Sequence, residues 1–587
     1  MGRSEENIKS TAYGVRRTVK EMRRTRNAFR LTPPMKSKLE TLINSVVDAY
    51  CLQHGAAKPD GFAYDLHPPK DSQHGDLSCN IAFKLAKVTR QKPAEIAAGL
   101  LDLISKIPAK DSPVEKTELA GGGFLNFYLR KEDLGAILLE IHKQDKNYGR
   151  SDFGKGKRAI LEFVSANPTG PLTIAHGRQA AVGDCLARIL KFTGHTVHSE
   201  YYLNDAGRQM RMLARSVFVR YNELLGMEMP FPEDGYQGDY VRDIARDIIE
   251  KEKRDSLLKE PEEKAVEYCG LYAVKYLMGS IEEDLAKMQV HFDNYFSEKT
   301  LYAKNQVEHA LGVLREKGYL FESEGALWFR STDLGDDKDR VVKKSTGEYT
   351  YLAPDIAYHL TKYERGYNML VNFWGPDHHG YIPRLKAACR VLGYPPEAIH
   401  IGIVQLTTLF RKGQPVRMST RAGEFVTLRE LYQEVGVDAT RFFFVMRRQE
   451  SHLDFDLDLA KEKSQENPVY YLQYAHARIA SLAKFAEQGI TAKVDLKLLA
   501  STEESELIGC LAQFSEYLIQ ASRATEPYRL ADYLRQVAAC FHKFYSHHRI
   551  VTEDKELTKA RLLLADATRI VLRNGLELLG ISTPESM

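Results

Sequence analysis

Hydrophobic positions recur with helical spacing at two places near the start of the chain, in residues 36–54 and again in residues 92–107. The sequence GGGFLNFYL, which follows them, is typical of a glycine turn that enters a β-strand. We therefore predict a small α+β domain over residues 35–145.

The pattern changes near residue 157, where the run AILEFV precedes a loop rich in Asn, Pro and Gly and then an Ala-rich helical stretch. Parallel α/β sheets begin with such a strand-loop-helix unit. Further strand-like runs stand at residues 367–373 and 399–405. We predict a parallel-sheet α/β domain over residues 150–460, and we interpret its charged, less regular part, about 225–340, as an insertion.

The last part of the chain, residues 465–587, has a pattern that is almost wholly helical. Leu563, Ala567 and Ile570, for example, fall on one apolar stripe. Few glycines or strand-like runs interrupt this pattern. We therefore predict a C-terminal all-α helix bundle with its own core.

Charge is unevenly distributed along the chain, which has 82 basic and 79 acidic residues and a formal net charge of +3. Residues 1–34 hold nine Lys or Arg and three Glu, so this arm carries +6 and the rest of the chain −3. Such a distribution excludes a uniformly basic nucleic-acid coat. We expect the arm to be a disordered extension, either a mitochondrial-type presequence or an upstream segment before a natural start at Met35.

Composition also restricts the compartment. No apolar run approaches the length of a membrane span, and no signal peptide opens the chain. The seven cysteines include no C-x-x-C pair, which argues against structural zinc and a disulfide framework. We expect a cytoplasmic protein that does not contact membranes and is a monomer.

Two segments carry candidate chemistry. In residues 162–178 (EFVSANPTGPLTIAHGR), a loop leads from a strand into a helix whose amino end can face an anion, and His176 stands where that helix begins. Residues 416–427 (VRMSTRAGEFVT) can form a loop that closes over a polyphosphate. Taken alone, His176 can equally be a helix cap or packing residue, and the second segment an ordinary basic surface loop.

Together the segments resemble the HIGH and KMSKS signatures of class I aminoacyl-tRNA synthetases. The surrounding sequence resembles the bacterial arginyl-tRNA synthetases in six blocks: EFVSANPTGPL, YYLNDAGRQM, GPDHHGYIPRLKA, MSTRAGEFVTLRELYQEVGVDATRFFF, SHLDFDLDLAK and NPVYYLQYAHARIASL. The resemblance runs from about residue 36 to Met587 and leaves only the arm outside it.

The resemblance implies a Rossmann-like catalytic domain with an insertion, an N-terminal domain that binds the tRNA elbow and a helical anticodon-binding domain. It implies ligation of L-arginine to tRNA(Arg) through an arginyl-adenylate, with ATP and Mg²⁺ and with bound tRNA required for activation. No protein nucleophile is needed, because such catalysis rests on positioning and electrostatic stabilisation.

The resemblance also assigns roles to individual residues. The arginine-binding positions are Glu162, Asn167, Tyr351, Asp355 and His378. The ATP-binding positions are His176, Gly177, Gly375, Asp377 and Met418. Catalysis is assigned to Thr173, His176, Arg417, Ser419 and Arg421. The tRNA-binding positions are Asn126, Tyr474, Arg478 and Met587.

Chemistry supports the arginine assignment independently, because a planar, permanently charged guanidinium requires carboxylates and oriented neutral partners. Without the resemblance, Glu162 fits a strand-end ion pair, Asp355 a helix cap, and Asn126 a turn residue. Tyr474 and Arg478 fit an ordinary amphipathic helix. We expect no transition metal, because the adjacent rings of His378 and His379 point apart and no third ligand has suitable spacing.

Departures from the signatures leave two rival functions open. Thr173, Ala175 and Thr420 replace a histidine, a glycine and a lysine, and Gly170 stands where some arginyl enzymes carry a substitute lysine. One rival is a non-catalytic tRNA-binding paralogue. The other is a nucleotidyltransferase that uses no tRNA and has no need of the C-terminal bundle.

Overall fold

A computed structural model describes residues 33–587 except 59–61, 68, 70–73, 76, 109–111, 130, 253–255, 417–425 and 486–488. The basic arm therefore lies outside the described residues, and so does the phosphate loop with Arg417, Met418, Ser419, Thr420 and Arg421. The described part contains an N-terminal α+β unit, a central unit built on a parallel sheet, and a C-terminal group of helices. This arrangement confirms the predicted fold class.

The N-terminal unit packs helices on a four-stranded antiparallel sheet of order β1-β2-β4-β3. Its elements are α1 (Pro33–Gln53), β1 (Leu66–His67), β2 (Leu77–Cys79), α2 (Ile81–Thr89), α3 (Pro93–Ser105), β3 (Val114–Ala120) and β4 (Phe124–Leu129). Helix α4 (Lys131–Gln144) follows this unit along the chain and packs instead against the C-terminal helices. Helix α1 buries Leu39, Ile43 and Val47 against this unit, as the helical spacing of the sequence predicts.

The central unit begins with alternating strands and helices. Its first elements are β5 (Arg158–Glu162), α5 (Ile174–Phe192), β6 (Thr196–Leu203), α6 (Arg208–Leu224), α7 (Asp239–Lys251), α8 (Glu262–Lys287), β7 (Asn294–Ser297), α9 (Lys299–Ala303) and α10 (Gln306–Glu316). The next are β8 (Leu320–Ser323), β9 (Ala326–Phe329), β10 (Arg340–Lys343), α11 (Leu352–Glu364), β11 (Met369–Trp374), α12 (Ile382–Leu392) and β12 (Ile399–Ile403). Five of the strands form the parallel sheet, in the order β12-β11-β5-β6-β7.

The predicted insertion at about 225–340 requires a correction. It includes β7, which pairs in parallel with β6 and forms one edge of the central sheet. The sheet therefore takes a strand from within the segment that we interpreted as inserted. The strand was missed because its four residues, NYFS, show neither an apolar run nor an alternating pattern.

The central unit closes with β13 (Thr407–Arg411), β14 (Gln414–Pro415), α13 (Leu428–Val435), α14 (Val437–Val445), β15 (Leu453–Asp456) and α15 (Leu457–Lys461). The C-terminal helices are α16 (Pro468–Phe485), α17 (Thr502–Leu511), α18 (Phe514–Ala524), α19 (Tyr528–His547) and α20 (Lys555–Leu578). Buried apolar residues form one continuous core through all three units. No helix in the part of the chain that the structure describes is long and apolar enough to span a membrane.

A buried guanidinium joins the central unit to the C-terminal helices. Arg441, on α14, is fully buried and donates to the Asp184 carboxylate on α5 and to the Met288 carbonyl after α8. Its Nε also donates to the Leu579 carbonyl at the end of α20, over 2.9 Å. A single side chain therefore fixes the positions of three helices relative to α14.

Gly580 is the position at which this contact can be tested. Its φ is +66°, and a Cβ built there would lie 2.3 Å from Arg441 Nη2, in a guanidinium held by its hydrogen bonds. We expect Gly580→Ala to lower the free energy of unfolding by about 3 kcal/mol, measured by urea denaturation. The matched control is Gly335→Ala, where φ is +97° but the Cβ meets nothing within 4 Å. We expect it to lose only about 1 kcal/mol, and equal losses would contradict the role of Arg441.

Candidate active site

The loop after β5 is held in an unusual conformation. Val164 and Ser165 both have left-handed backbone angles, with φ of 66° and 40°. Such angles are unfavourable for residues other than glycine, especially a β-branched one. The neighbouring strand β6 holds the loop, because the Tyr202 amide donates to Ser165 Oγ (3.1 Å) and the Tyr201 hydroxyl donates to the Ala166 carbonyl (2.7 Å). The chain therefore leaves the sheet in one fixed direction on its way to α5.

The amino end of α5 carries the candidate phosphate contacts. Thr173 occupies the N-cap position, and its backbone amide donates to His176 Nδ1 over 3.2 Å. Burial lowers the pKa of the His176 ring to about 4, so the ring is neutral at neutral pH. Because Nδ1 accepts a hydrogen bond, the proton lies on Nε2, which can donate to an anion. Leu428 and Phe444 pack so closely on Gly177 that a Cβ there would lie 2.5 Å from Leu428.

A pocket opens at the carboxyl ends of the parallel strands, where open α/β sheets bind ligands. Its lining includes three carboxylates, four tyrosines and one tryptophan, and no lysine or arginine of the described residues belongs to it. Glu162 is the last residue of β5, and Glu298 directly follows β7. The residues that line it are Glu162, Tyr202, Glu298, Tyr351, Pro354, Asp355, Tyr358, Trp374, His378 and Tyr381.

A buried network lies behind this pocket. Lys362, which is fully buried on α11, donates from Nζ to Glu162 Oε2 over 2.6 Å and contacts Asn372 Oδ1 at 3.4 Å. Asn372 Nδ2 donates to His359 Nε2 over 3.1 Å, and His359 Nδ1 donates to the Asp355 carbonyl over 2.8 Å. The network thus links the residues that carry two of the three pocket carboxylates and supplies Glu162 with a counter-ion.

Glu298 is a pocket residue that the sequence reasoning missed. Burial raises its pKa, and the charges of Asp205 and Asp355 raise it further, while hydrogen bonds from Tyr202 and Tyr302 lower it. The signal that could have revealed it is its place at the carboxyl end of a sheet strand, the same place that Glu162 occupies. That signal was hidden because β7 was not recognised.

The structure brings together four of the five candidate arginine-binding residues. Glu162, Tyr351, Asp355 and His378 all line the pocket, and Tyr351 is 61% exposed at its mouth. Asn167 does not line it, and its Nδ2 donates instead to Gln209 Oε1 over 2.6 Å.

Gly375 and Asp377, two of the candidate ATP-binding residues, lie beside the pocket at the start of the short helix Pro376–Tyr381, which follows β11. Asp377 lies next to His378, with 3.3 Å between Oδ2 and Nε2. Its side chain also folds back over Gly375, where a Cβ would be 2.5 Å from Oδ1. Among the residues that the structure describes, no group of three His, Cys, Asp or Glu is arranged to hold a metal ion.

The candidate tRNA-binding residues do not line the pocket, and their environments differ from one another. Arg478 donates to the Tyr474 hydroxyl and lies 4.2 Å from the centre of the Tyr545 ring. Met587 is 54% exposed. Asn126 is only 4% exposed in the middle of β4, and its Oδ1 has no hydrogen-bond partner among the described residues.

Three families match successive parts of the chain. Residues 37–129 match the arginyl tRNA synthetase N terminal domain, residues 137–455 the catalytic domain of tRNA synthetases class I (R), and residues 472–587 the DALR anticodon binding domain.

Individual proteins match over most of their length. A protein named arginine–tRNA ligase from Desulfosudis oleivorans is 48% identical over 561 residues, which cover 94% of this chain and all of that protein. Another of that name from Listeria monocytogenes is 47% identical over 89% of this chain and 94% of its own. A crystal structure described as a putative arginyl-tRNA synthetase from Campylobacter jejuni has 34% identity and a TM-score of 0.72, and covers 78% of this chain and all of its own. The structure of arginyl-tRNA synthetase from Thermus thermophilus, 23% identical, shares the fold with a TM-score of 0.70 over 92% of this chain and 99% of its own.

The protonation of His176 can be measured directly. With ¹⁵N-labelled histidine and a His176→Gln variant to assign the signal, we expect the Nε2–H tautomer throughout the range from about pH 5.5 to about pH 8.5. The physical reason is that burial disfavours the charged ring. A titration with a midpoint near the ordinary value of about 6.5 would contradict this assignment.

Proposed function

The chain belongs to the arginyl-tRNA synthetase family, and on that premise we propose that its pocket binds L-arginine for ATP-dependent ligation to tRNA(Arg). The observation that carries the proposal is the pocket lining, in which the described residues supply three carboxylates and, apart from His378, no basic side chain. A cationic substrate is the ligand that such a lining favours.

The carboxylates of the pocket can pair with the two cationic groups of arginine. Lys362 neutralises Glu162, which leaves Glu298 and Asp355 as the carboxylates without a buried cationic partner in the network. Arginine brings two cations, the guanidinium and the α-ammonium group. The tyrosine and tryptophan rings of the lining add flat surfaces and hydroxyls that can orient a planar guanidinium.

ATP, as its magnesium complex, would lie between this pocket and the amino end of α5. In the first step a carboxylate oxygen of arginine attacks the α-phosphorus, and pyrophosphate leaves in line. In the second step a hydroxyl of the terminal tRNA ribose attacks the arginyl carbonyl, and AMP leaves. No protein nucleophile enters either step, so the side chains act by positioning the reactants and stabilising charge.

The residues at the helix start have separate tasks in this scheme. His176 donates from Nε2 to a phosphate oxygen, and Thr173 holds Nδ1 through its backbone amide. Thr173 therefore orients the imidazole, although a histidine occupies its position in the HIGH signature. Gly375 and Asp377 are placed at the ribose, and Arg417, Met418, Ser419 and Arg421 complete the phosphate site.

Contacts with tRNA are proposed on two surfaces. Tyr474 and Arg478 with Met587 form the anticodon contact, where a ring and a guanidinium can stack on unpaired bases. Asn126 is the proposed elbow contact, and its buried, unpaired Oδ1 is a hydrogen-bond acceptor that RNA could use only after local opening of the sheet. We expect the enzyme to act as a cytoplasmic monomer.

The experiment that tests the function is ATP–pyrophosphate exchange with each amino acid, with and without tRNA. We expect exchange with arginine alone, and only when tRNA(Arg) is present. Binding of tRNA without exchange would identify the non-catalytic paralogue, which the departures at Thr173 and Ala175 leave open as a rival function. Exchange that proceeds equally without tRNA would refute the expected tRNA dependence.

The pocket assignment has its own test in Asp355→Asn, which removes one negative charge at nearly constant shape. We expect the KM for arginine to rise at least ~30-fold, which corresponds to the loss of about 2 kcal/mol, with the KM for ATP unchanged. The matched control is Asp333→Asn, an exposed carboxylate outside the pocket lining, which should leave both constants unchanged. An arginine KM that is the same in both variants would refute the role of Asp355.

A further inference from the structure

The amino-end edge of the parallel sheet carries a cluster of cations that the proposed reaction does not use. We call it the basic edge and define it by five residues from the segment before β5, the start of β5 and the end of α18: Arg150, Lys155, Lys157, Arg158 and Arg523. All five are exposed.

Ring contacts tie these cations into one surface. The Arg150 guanidinium lies 4.7 Å from the centre of the Phe192 ring, and the Ser151 amide donates to the Phe192 carbonyl. Lys157 and Arg523 lie over the same Phe153 ring, at 5.2 Å and 5.3 Å from its centre. Phe153 therefore brings together cations from two units of the fold.

The cations of the basic edge have no carboxylate partners among the described residues. None of its five side chains forms an ion pair with a carboxylate of the described residues, and Asp152 is the single acid in residues 146–158. Cations nearby that point into the fold do have partners, as Arg188 has Asp184 and Arg365 has Glu200. The chain beyond the arm carries a net charge of −3, so this local excess of positive charge is opposite in sign to the net charge of that part of the chain.

Two histidines lie near this positive charge. Burial lowers the pKa of His195 and that of His400, and the charge of Lys157 lowers both further, while a backbone hydrogen bond raises each of them. Repulsion of this kind destabilises the free protein, and an anionic ligand would relieve it.

The basic edge is separate from the catalytic pocket. Glu162 closes β5 at the pocket, whereas Arg158 opens the same strand at the basic edge. Four steps of extended chain separate these two residues by about 13 Å, so an arginine bound in the pocket does not reach these cations.

We propose that the basic edge binds a single-stranded segment of RNA other than the tRNA that is being charged. The rings of Phe153 and Phe192 hold exposed cations on their faces, and these cations suit the phosphates of such a strand. The guanidinium planes of Arg150 and Arg523 are surfaces on which unpaired bases can stack. A membrane surface fits less well, because none of the large exposed apolar side chains of the described chain belongs to this edge.

The test uses the full chain with saturating unlabelled tRNA(Arg), so that the tRNA surfaces are occupied. Binding of a fluorescent 15-nucleotide oligouridylate is followed by anisotropy over a salt series. We expect wild type to bind and Lys155→Gln/Lys157→Gln/Arg523→Gln to bind at least tenfold more weakly. The slope of log affinity against log salt should become shallower by about two, since each phosphate contact contributes about 0.7.

Two further variants serve as controls. Lys264→Gln/Lys275→Gln/Lys287→Gln removes three exposed lysines from α8 and should bind like wild type, and Lys155→Arg/Lys157→Arg, which keeps the charge, should do the same. Aminoacylation should be equal in all of them, and wild-type aminoacylation tests the proposed function separately.

Three outcomes would overturn the proposal. They are no oligouridylate binding by wild type under tRNA saturation, equal binding by the glutamine variant of the basic edge, and a loss in that variant of binding to anionic phosphatidylserine vesicles alone.

Discussion

The position of the C-terminal helices relative to the pocket depends on one buried guanidinium. A fully buried arginine is costly unless each of its N–H groups has an acceptor. Arg441 meets this demand with a carboxylate on α5 and with carbonyls that follow α8 and α20. Carbonyls at helix ends have no partner within their own helix and carry partial negative charge, so the cation also satisfies two helix termini. Helix α5, with the proposed phosphate contacts, and helix α20, the last of the C-terminal group, therefore share a single anchor.

A second buried cation, Lys362, determines the charge of the pocket. Lys362 leaves no charge of its own in the lining, yet it determines how much negative charge the lining presents, because it is the counter-ion of Glu162. The amide of Asn372 and the ring of His359 carry the hydrogen-bond chain onward to Asp355. Each donor in this chain is fixed by the next acceptor. The Glu162 carboxylate and the backbone of Asp355 are therefore held in place before any ligand arrives, which reduces the reorganisation that binding requires.

The sequence predicts pocket residues better where an apolar strand or a block of family resemblance marks them. It predicts them less well where only the pairing of strands brings a residue to the pocket. Glu162 and Asp355 were assigned from the family resemblance, and the local sequence places one at the end of a strongly apolar strand and the other at a helix start. Glu298 follows a strand of four mixed residues that belongs to the sheet only through its pairing with β6. No local pattern reveals such long-range pairing. The burial of Asn126 follows from two neighbours, β2 and β3, that pair on either side of β4, and the GGGFLNFYL segment alone does not contain that information.

The neutral state of His176 has a consequence for turnover. A cation at the start of α5 would attract every phosphate species, and most strongly the one with the highest charge. The departing pyrophosphate carries several negative charges, so such a cation would also hold this product. A neutral donor held by the Thr173 amide gives direction without a full charge, so its contribution depends on geometry and disappears once the leaving group moves. The helix start is thus suited to an enzyme that must release its first product in every cycle.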